Sequence, residues 1–117
     1  MDENRTDELS LEFLYEAMLS LETKEECAQF LDDLCTSFEL KAISQRLLVA
    51  KMLSEKKIYS NIVASTGAST ATISRVNRTL NSKYSGKGYQ TVFERLKGVS
   101  SDKYIAVNTG AENTEVK

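Results

Sequence analysis

The residues best suited to chemistry lie in the run Ser69-Thr-Ala-Thr-Ile-Ser-Arg-Val-Asn-Arg78. Ser69, Thr70, Thr72 and Ser74 carry short hydroxyls, Arg75 and Arg78 carry forked cationic donors, and Ala71 is small. Groups of this kind bond base edges and phosphate oxygens, and the methyls of Thr70 and Ala71 suit a thymine methyl. Bulky side chains would hold a helix off a groove, and none intervenes on this face. The chemistry they suit is non-covalent recognition of a DNA duplex.

Covalent chemistry has little to work with. The 117 residues include no histidine, which removes histidine acid–base catalysis, the usual nucleophile triads and most transition-metal sites. Cys27 and Cys35 would be ~12 Å apart along one helix, too far for a disulfide. Both fall in an apolar pattern and read as small buried hydrophobes. Asp32 and Asp33 are neighbours, which point to different sides of a helix and make no catalytic pair. Ser85-Gly-Lys-Gly88 lacks the long glycine frame of a phosphate loop and reads as a mobile turn. Tyr15, Tyr59, Tyr84, Tyr89 and Tyr104 are scattered and make no stacking platform. The expectation is a protein that is not an enzyme and holds no cofactor or metal.

The elements that position the run are helices. No proline occurs, and the glycines are confined to positions 67, 86, 88, 98 and 110. Leu11, Leu14, Met18 and Leu21 make one stripe of a first helix. Thr23 with Glu26, and Thr36 with Glu39, have the spacing of capping boxes that open a second and a third helix. The second would bury Cys27, Phe30, Leu31 and Leu34. The third would bury Leu40, Ile43, Leu47 and Ala50, widened by Leu48, Met52 and Leu53, and end near Glu55-Lys56. A short helix over about 58–65, with Ile62 and Val63 inward, precedes Gly67. Gly67 stands where the chain must reverse, with a positive φ that glycine adopts cheaply. Ser69 is placed to cap the next helix, which runs to about Leu80 and is pinned by Ile73 and Val76. This is the pattern of a helix-turn-helix over about 58–80. A polar loop and a sixth helix over 89–96 follow. The fold class is therefore all-α, about six helices and no strand, as a single domain over 1–97. Residues 98–117 lack periodicity and are expected to form a disordered tail.

Charge supports the same face. Residues 1–45 hold 12 acids and 3 bases, whereas residues 46–97 hold 10 bases and 2 acids, although the whole chain has a formal charge of only −2. A basic half within an acidic chain points to a confined polyanion site, with Lys56, Lys57 and Arg78 on the DNA backbone. The plain alternative is a helical hairpin with a polar outer face. In that case the working surface would be the acidic N-terminal half, acting as a protein-interaction module. The polar, acidic start is no secretory signal and no apolar run approaches membrane-spanning length, so no membrane contact is expected. Unpaired cysteines fit a reducing compartment, and the expected location is cytoplasmic.

Gly67-Ala-Ser-Thr-Ala-Thr-Ile-Ser-Arg75 resembles the recognition segment of the tryptophan repressor family. The continuation through Asn77, Arg78 and Leu80, with a glycine turn before Tyr89, is closer to its YerC/YecD branch, and the likeness spans roughly residues 8–97. The resemblance implies an intertwined helical homodimer with two reading heads one helical turn apart on double-stranded DNA. It implies a repressor-like transcriptional regulator in which Thr70, Ala71 and Ser74 approach bases and Ser60 the backbone. A lysine of the repressor's first short helix falls on Val63, so that contact is missing. Of the two arginines that sandwich indole in the repressor, one matches Arg75 and the other falls on Gln45. Arg46 next door is turned ~100° away on a helix. The glycine that makes room for the ring falls on Val76. The expectation is that tryptophan is not used as a co-repressor.

Overall fold

A computed structural model describes residues 3–106 and contains no strand among them. Its helices are α1 (Glu3–Leu19), α2 (Lys24–Leu34), α3 (Ser37–Ser54), α4 (Tyr59–Thr66), α5 (Thr70–Asn81) and α6 (Lys87–Arg95), followed by a 3-10 helix at Ser101–Tyr104. The all-α expectation holds. The described residues fall into two compact units, divided between Leu40 and Lys41.

In the first unit, the hydroxyl of Thr23 accepts the Glu26 N–H at 3.0 Å and starts α2. The Glu26 carboxylate accepts the N–H of Glu22 at 2.8 Å, one residue earlier than in a standard capping box. At the start of α3 the box is complete: Thr36 Oγ1 accepts the Glu39 N–H at 3.0 Å, and Glu39 Oε1 accepts the Thr36 N–H at 2.8 Å. The Thr36 N–H, and after it the Thr36 hydroxyl, hold the Glu39 carboxyl below its ordinary pKa. The expected burial along α2 is not found. Cys27 and Leu34 are exposed, and Phe30, Leu31 and Cys35 are only half-buried. Phe13, Leu19 and Phe38 are also open, at 74%, 82% and 82% exposure. An amphipathic helix hides its stripe only against another surface, and among the described residues Phe13, Leu19, Leu34 and Phe38 remain open.

The second unit has a true core. It gathers Val49, Ala50 and Met52 of α3, Ile62 of α4, Ala68 of the connection, and Ile73 and Val76 of α5. Leu48, Leu53, Leu80, Tyr89, Phe93 and Ile105 pack around them. The buried face of α3 is rotated from the expected one, since Ile43 and Leu47 are about half-exposed while Val49 is fully buried. Apolar residues surround α3 on nearly every side in this stretch, so spacing alone left its inward face open. The helix ends where expected. Lys56 takes a left-handed φ of 68°, its N–H reaches the Leu53 carbonyl, and the Lys57 N–H reaches that of Met52 at 3.1 Å. These two bonds form the Schellman closure, here with lysine where glycine is usual.

The turn before α6 is packed rather than loose. Gly86 has φ +90°, and an added Cβ would lie 2.6 Å from the carbonyl oxygen of Thr79. Ser85 Oγ donates to the same carbonyl at 3.1 Å. The expected tail also needs correction. Ser101–Tyr104 is helical, Ser101 is buried, and Ile105 packs on the core. The part of that expectation covering residues 107–117 lies outside the described residues. Short polar segments show no periodicity, yet one buried serine with a charged acceptor is enough to dock such a segment.

Candidate nucleic-acid interface

α4 and α5 are joined by Gly67, Ala68 and Ser69 alone. Gly67 closes α4 with φ 74° and ψ 5°, and its N–H bonds the Val63 carbonyl. This is the left-handed residue expected there, and a side chain at this φ would cost roughly 1–2 kcal/mol. Thr66 braces the turn from within. Its hydroxyl donates to the Ile62 carbonyl at 2.7 Å and accepts the Ala68 N–H at 3.1 Å. From α3, the Gln45 amide donates to the Thr66 carbonyl at 2.9 Å. Ser69 then caps α5 by accepting the Thr72 N–H at 3.1 Å.

Ile73 and Val76 anchor α5, at 0% and 3% exposure. A helix pinned at i and i+3 must turn its other sides outward. Thr70, Ala71, Arg75 and Arg78 are exposed there, while Thr72 and Ser74 sit half-buried at the rim. Ser69 is exposed beside the turn, and Ser60 is exposed on α4. Ile62 is buried as expected, but Val63 is 37% exposed and belongs to the outer side of α4. Neither Arg75 nor Arg78 is held in an ion pair among the described residues. The unit therefore leaves their charge to solvent or a ligand.

The two lysines before α4 differ. Lys56 is exposed on its left-handed backbone. Lys57 Nζ lies 3.4 Å from Asp102 Oδ1. Together with Leu53, Asn77, Asn81 and Thr91 they line an open groove of about 980 Å³ between the end of α3 and α5 and α6. Four participants escape a sequence reading: it takes Gln45 only as a replaced arginine, Asn77 only as a neighbour of Arg78, Asn81 only as part of the polar loop, and Asp102 only as tail. No local spacing signals a bond across 21 residues, such as that from Gln45 to Thr66.

An all-α frame that presents two short helices across a left-handed glycine turn, hydroxyls and arginines outward, defines a helical regulator fold of the repressor type. The chain belongs to the Trp repressor family: the model of the Trp repressor protein matches residues 9–97. It is 47% identical over 92 residues to the uncharacterized protein YerC of Bacillus subtilis (strain 168), covering 79% of this chain and 86% of YerC. The expected branch is thereby found. A TrpR-like protein from Eubacterium eligens ATCC 27750 superposes with a TM-score of 0.74 at 48% identity, covering 83% of this chain and 98% of that one. A putative Trp repressor from Staphylococcus aureus gives 0.73 at 42% identity, covering 86% and 98%. Among the described residues no helix is long and apolar enough to cross a membrane.

Proposed function

We propose that this protein is a sequence-specific, repressor-like transcriptional regulator that binds double-stranded DNA as a homodimer. In this reading α4 and α5 are a helix-turn-helix, and α5 enters the major groove. One observation carries it: Ile73 and Val76 are buried while Thr70, Ala71, Arg75 and Arg78 of the same helix stand in solvent. Thr70, Ala71 and Ser74 approach base edges, and Arg75 contacts a base or the adjoining phosphate. Ser69 and Thr72 lie at the helix start beside phosphates, where the positive end of the helix dipole favours anions. Ser60, Lys56, Lys57 and Arg78 bind the backbone.

The homodimer reading rests on the open apolar side chains of α1, α2 and early α3, including Phe13, Leu19, Leu34 and Phe38. A second copy would cover them, and patches of that kind are uncommon on monomers. The regulator works in the cytoplasm and performs no covalent step. It does not take tryptophan as co-repressor. Val76, at the position of the ring-accommodating glycine, is already part of the core, and the Gln45 amide is committed to Thr66.

The test is an anisotropy titration of labelled duplex at several salt concentrations. Affinity is expected to fall steeply, with a log–log slope of about −0.9 per neutralised phosphate. A flat salt response, or saturable capture of a protein partner with no duplex binding, would overturn the reading in favour of an interaction module.

A further inference from the structure

The segment just beyond the family-matched residues 9–97 is built into the molecule. Ser101 is 1% exposed, among the described residues the one buried polar side chain beside an otherwise apolar core. Its N–H donates to Glu55 Oε2 at 2.9 Å, and its hydroxyl donates to Glu55 Oε1. Lys51 flanks the same carboxylate at 3.8 Å. Ser100 Oγ accepts the Asp102 N–H at 3.1 Å, and Ile105 packs on the core. The 3-10 helix is thus fastened at both ends, with Asp102 between the fastenings.

We propose that Ser100–Tyr104 is a clasp in which Asp102 occupies Lys57 and competes with DNA phosphate for it. The inference rests on the DNA-binding reading above. Lys57 Nζ and Asp102 Oδ1 are 3.4 Å apart, with side-chain exposures of 34% and 68%. An exposed pair of this kind is weak, so a phosphate can displace it. Because the buried Ser101 bonds place Asp102, the ordering that usually cancels a surface ion pair is already met by the fold. Lys57 therefore engages DNA only by leaving a carboxylate. The freed Asp102 then gathers a counterion, which offsets one released from the DNA. The clasp trims both the affinity and the salt slope of the DNA face without touching α5.

The experiment compares the full chain with Asp102→Asn, Lys57→Gln and the double variant on one mixed-sequence duplex, by anisotropy across salt. Asp102→Asn is expected to tighten binding about two- to five-fold at low salt, the range of a surface pair. Its salt slope should steepen by up to about 0.9 per protomer. In the Lys57→Gln background the same change should give no gain. If duplex binds but Asp102→Asn changes neither affinity nor slope, the clasp is refuted. The same gain persisting without Lys57 would also refute it, as a general charge effect. If the unaltered protein binds no duplex at any salt, the DNA reading itself falls and the clasp with it, a result distinct from the other two. Circular dichroism should be alike for all four proteins, since both side chains lie at the surface.

Discussion

The Gln45 side-chain amide donates a 2.9 Å hydrogen bond to the backbone carbonyl of Thr66, fastening the middle of α3 to the last residue of α4. The carbonyls that end a helix lack partners within it, so this bond satisfies one such orphan while fixing where the α4–α5 turn stands. Replacing Gln45 with leucine should lower stability by about 1 kcal/mol, the net worth of such a bond. Urea denaturation measures it. An unchanged midpoint would mean the bond does not hold the turn.

Two left-handed glycines should respond differently to alanine. At Gly67 the nearest atom to an added Cβ is Gln45 Nε2 at 4.0 Å, so only the backbone conformation resists, at roughly 1–2 kcal/mol. At Gly86 the same conformational cost is joined by a contact of 2.6 Å with the Thr79 carbonyl oxygen, which forces the backbone to move. Gly86→Ala should therefore lose at least about 1 kcal/mol more than Gly67→Ala, in the range of overpacking costs. Equal losses in thermal or chemical denaturation would deny the close approach of the loop to α5.

Glu39 supplies a pH dependence. Its carboxyl is held below the ordinary value by the Thr36 N–H and then by the Thr36 hydroxyl, so folding favours the ionised form. A depressed folded-state pKa gives stability that is whole above the ordinary glutamate value of about 4.3 and is lost as pH falls through the folded value. Glu39→Gln keeps an acceptor oxygen but cannot titrate. The stability difference between the two proteins should be constant near neutrality and shrink in that acidic window, as followed by denaturant titration at stepped pH. A difference that does not change with pH would contradict the assignment.

Arg75→Ala and Thr70→Ala should each weaken binding to a selected duplex by roughly 1–3 kcal/mol and leave the fold intact, because both side chains stand outside the core. Selection of bound fragments from random DNA supplies the duplex. Losses of the same size on unselected DNA would make these side chains backbone contacts.

Isothermal calorimetry with L-tryptophan should show no heat beyond dilution. Val76 is 3% exposed within the core, and under the proposal above its side chain crowds the place a ring would take. Saturable micromolar binding would overturn that proposal.

The elements were legible because their signals are local. Thr36 and Glu39 announce the start of α3 through a bond pair three residues apart, Gly67 marks the reversal through its φ, and Ile73 and Val76 mark the inward side of α5 by helical period. The same locality explains the outward placement of Thr70, Ala71, Arg75 and Arg78, for once one side of a short helix is anchored the rest must face away. Other features depend on partners far along the chain. Apolar residues circle α3, so its inward side was chosen only by what α4 and α5 brought against it, burying Val49 and leaving Ile43 and Leu47 half open. The bond from Gln45 to Thr66, the approach of Gly86 to Thr79, and the docking of Ser101 on Glu55 each join segments that no periodicity links. Residue order thus settled which helices form and which way α5 faces, since those follow from neighbours within a turn or two. Tertiary packing decided which stripe became core and which polar side chains act as fastenings, because burial and pairing across space are properties of the assembled unit.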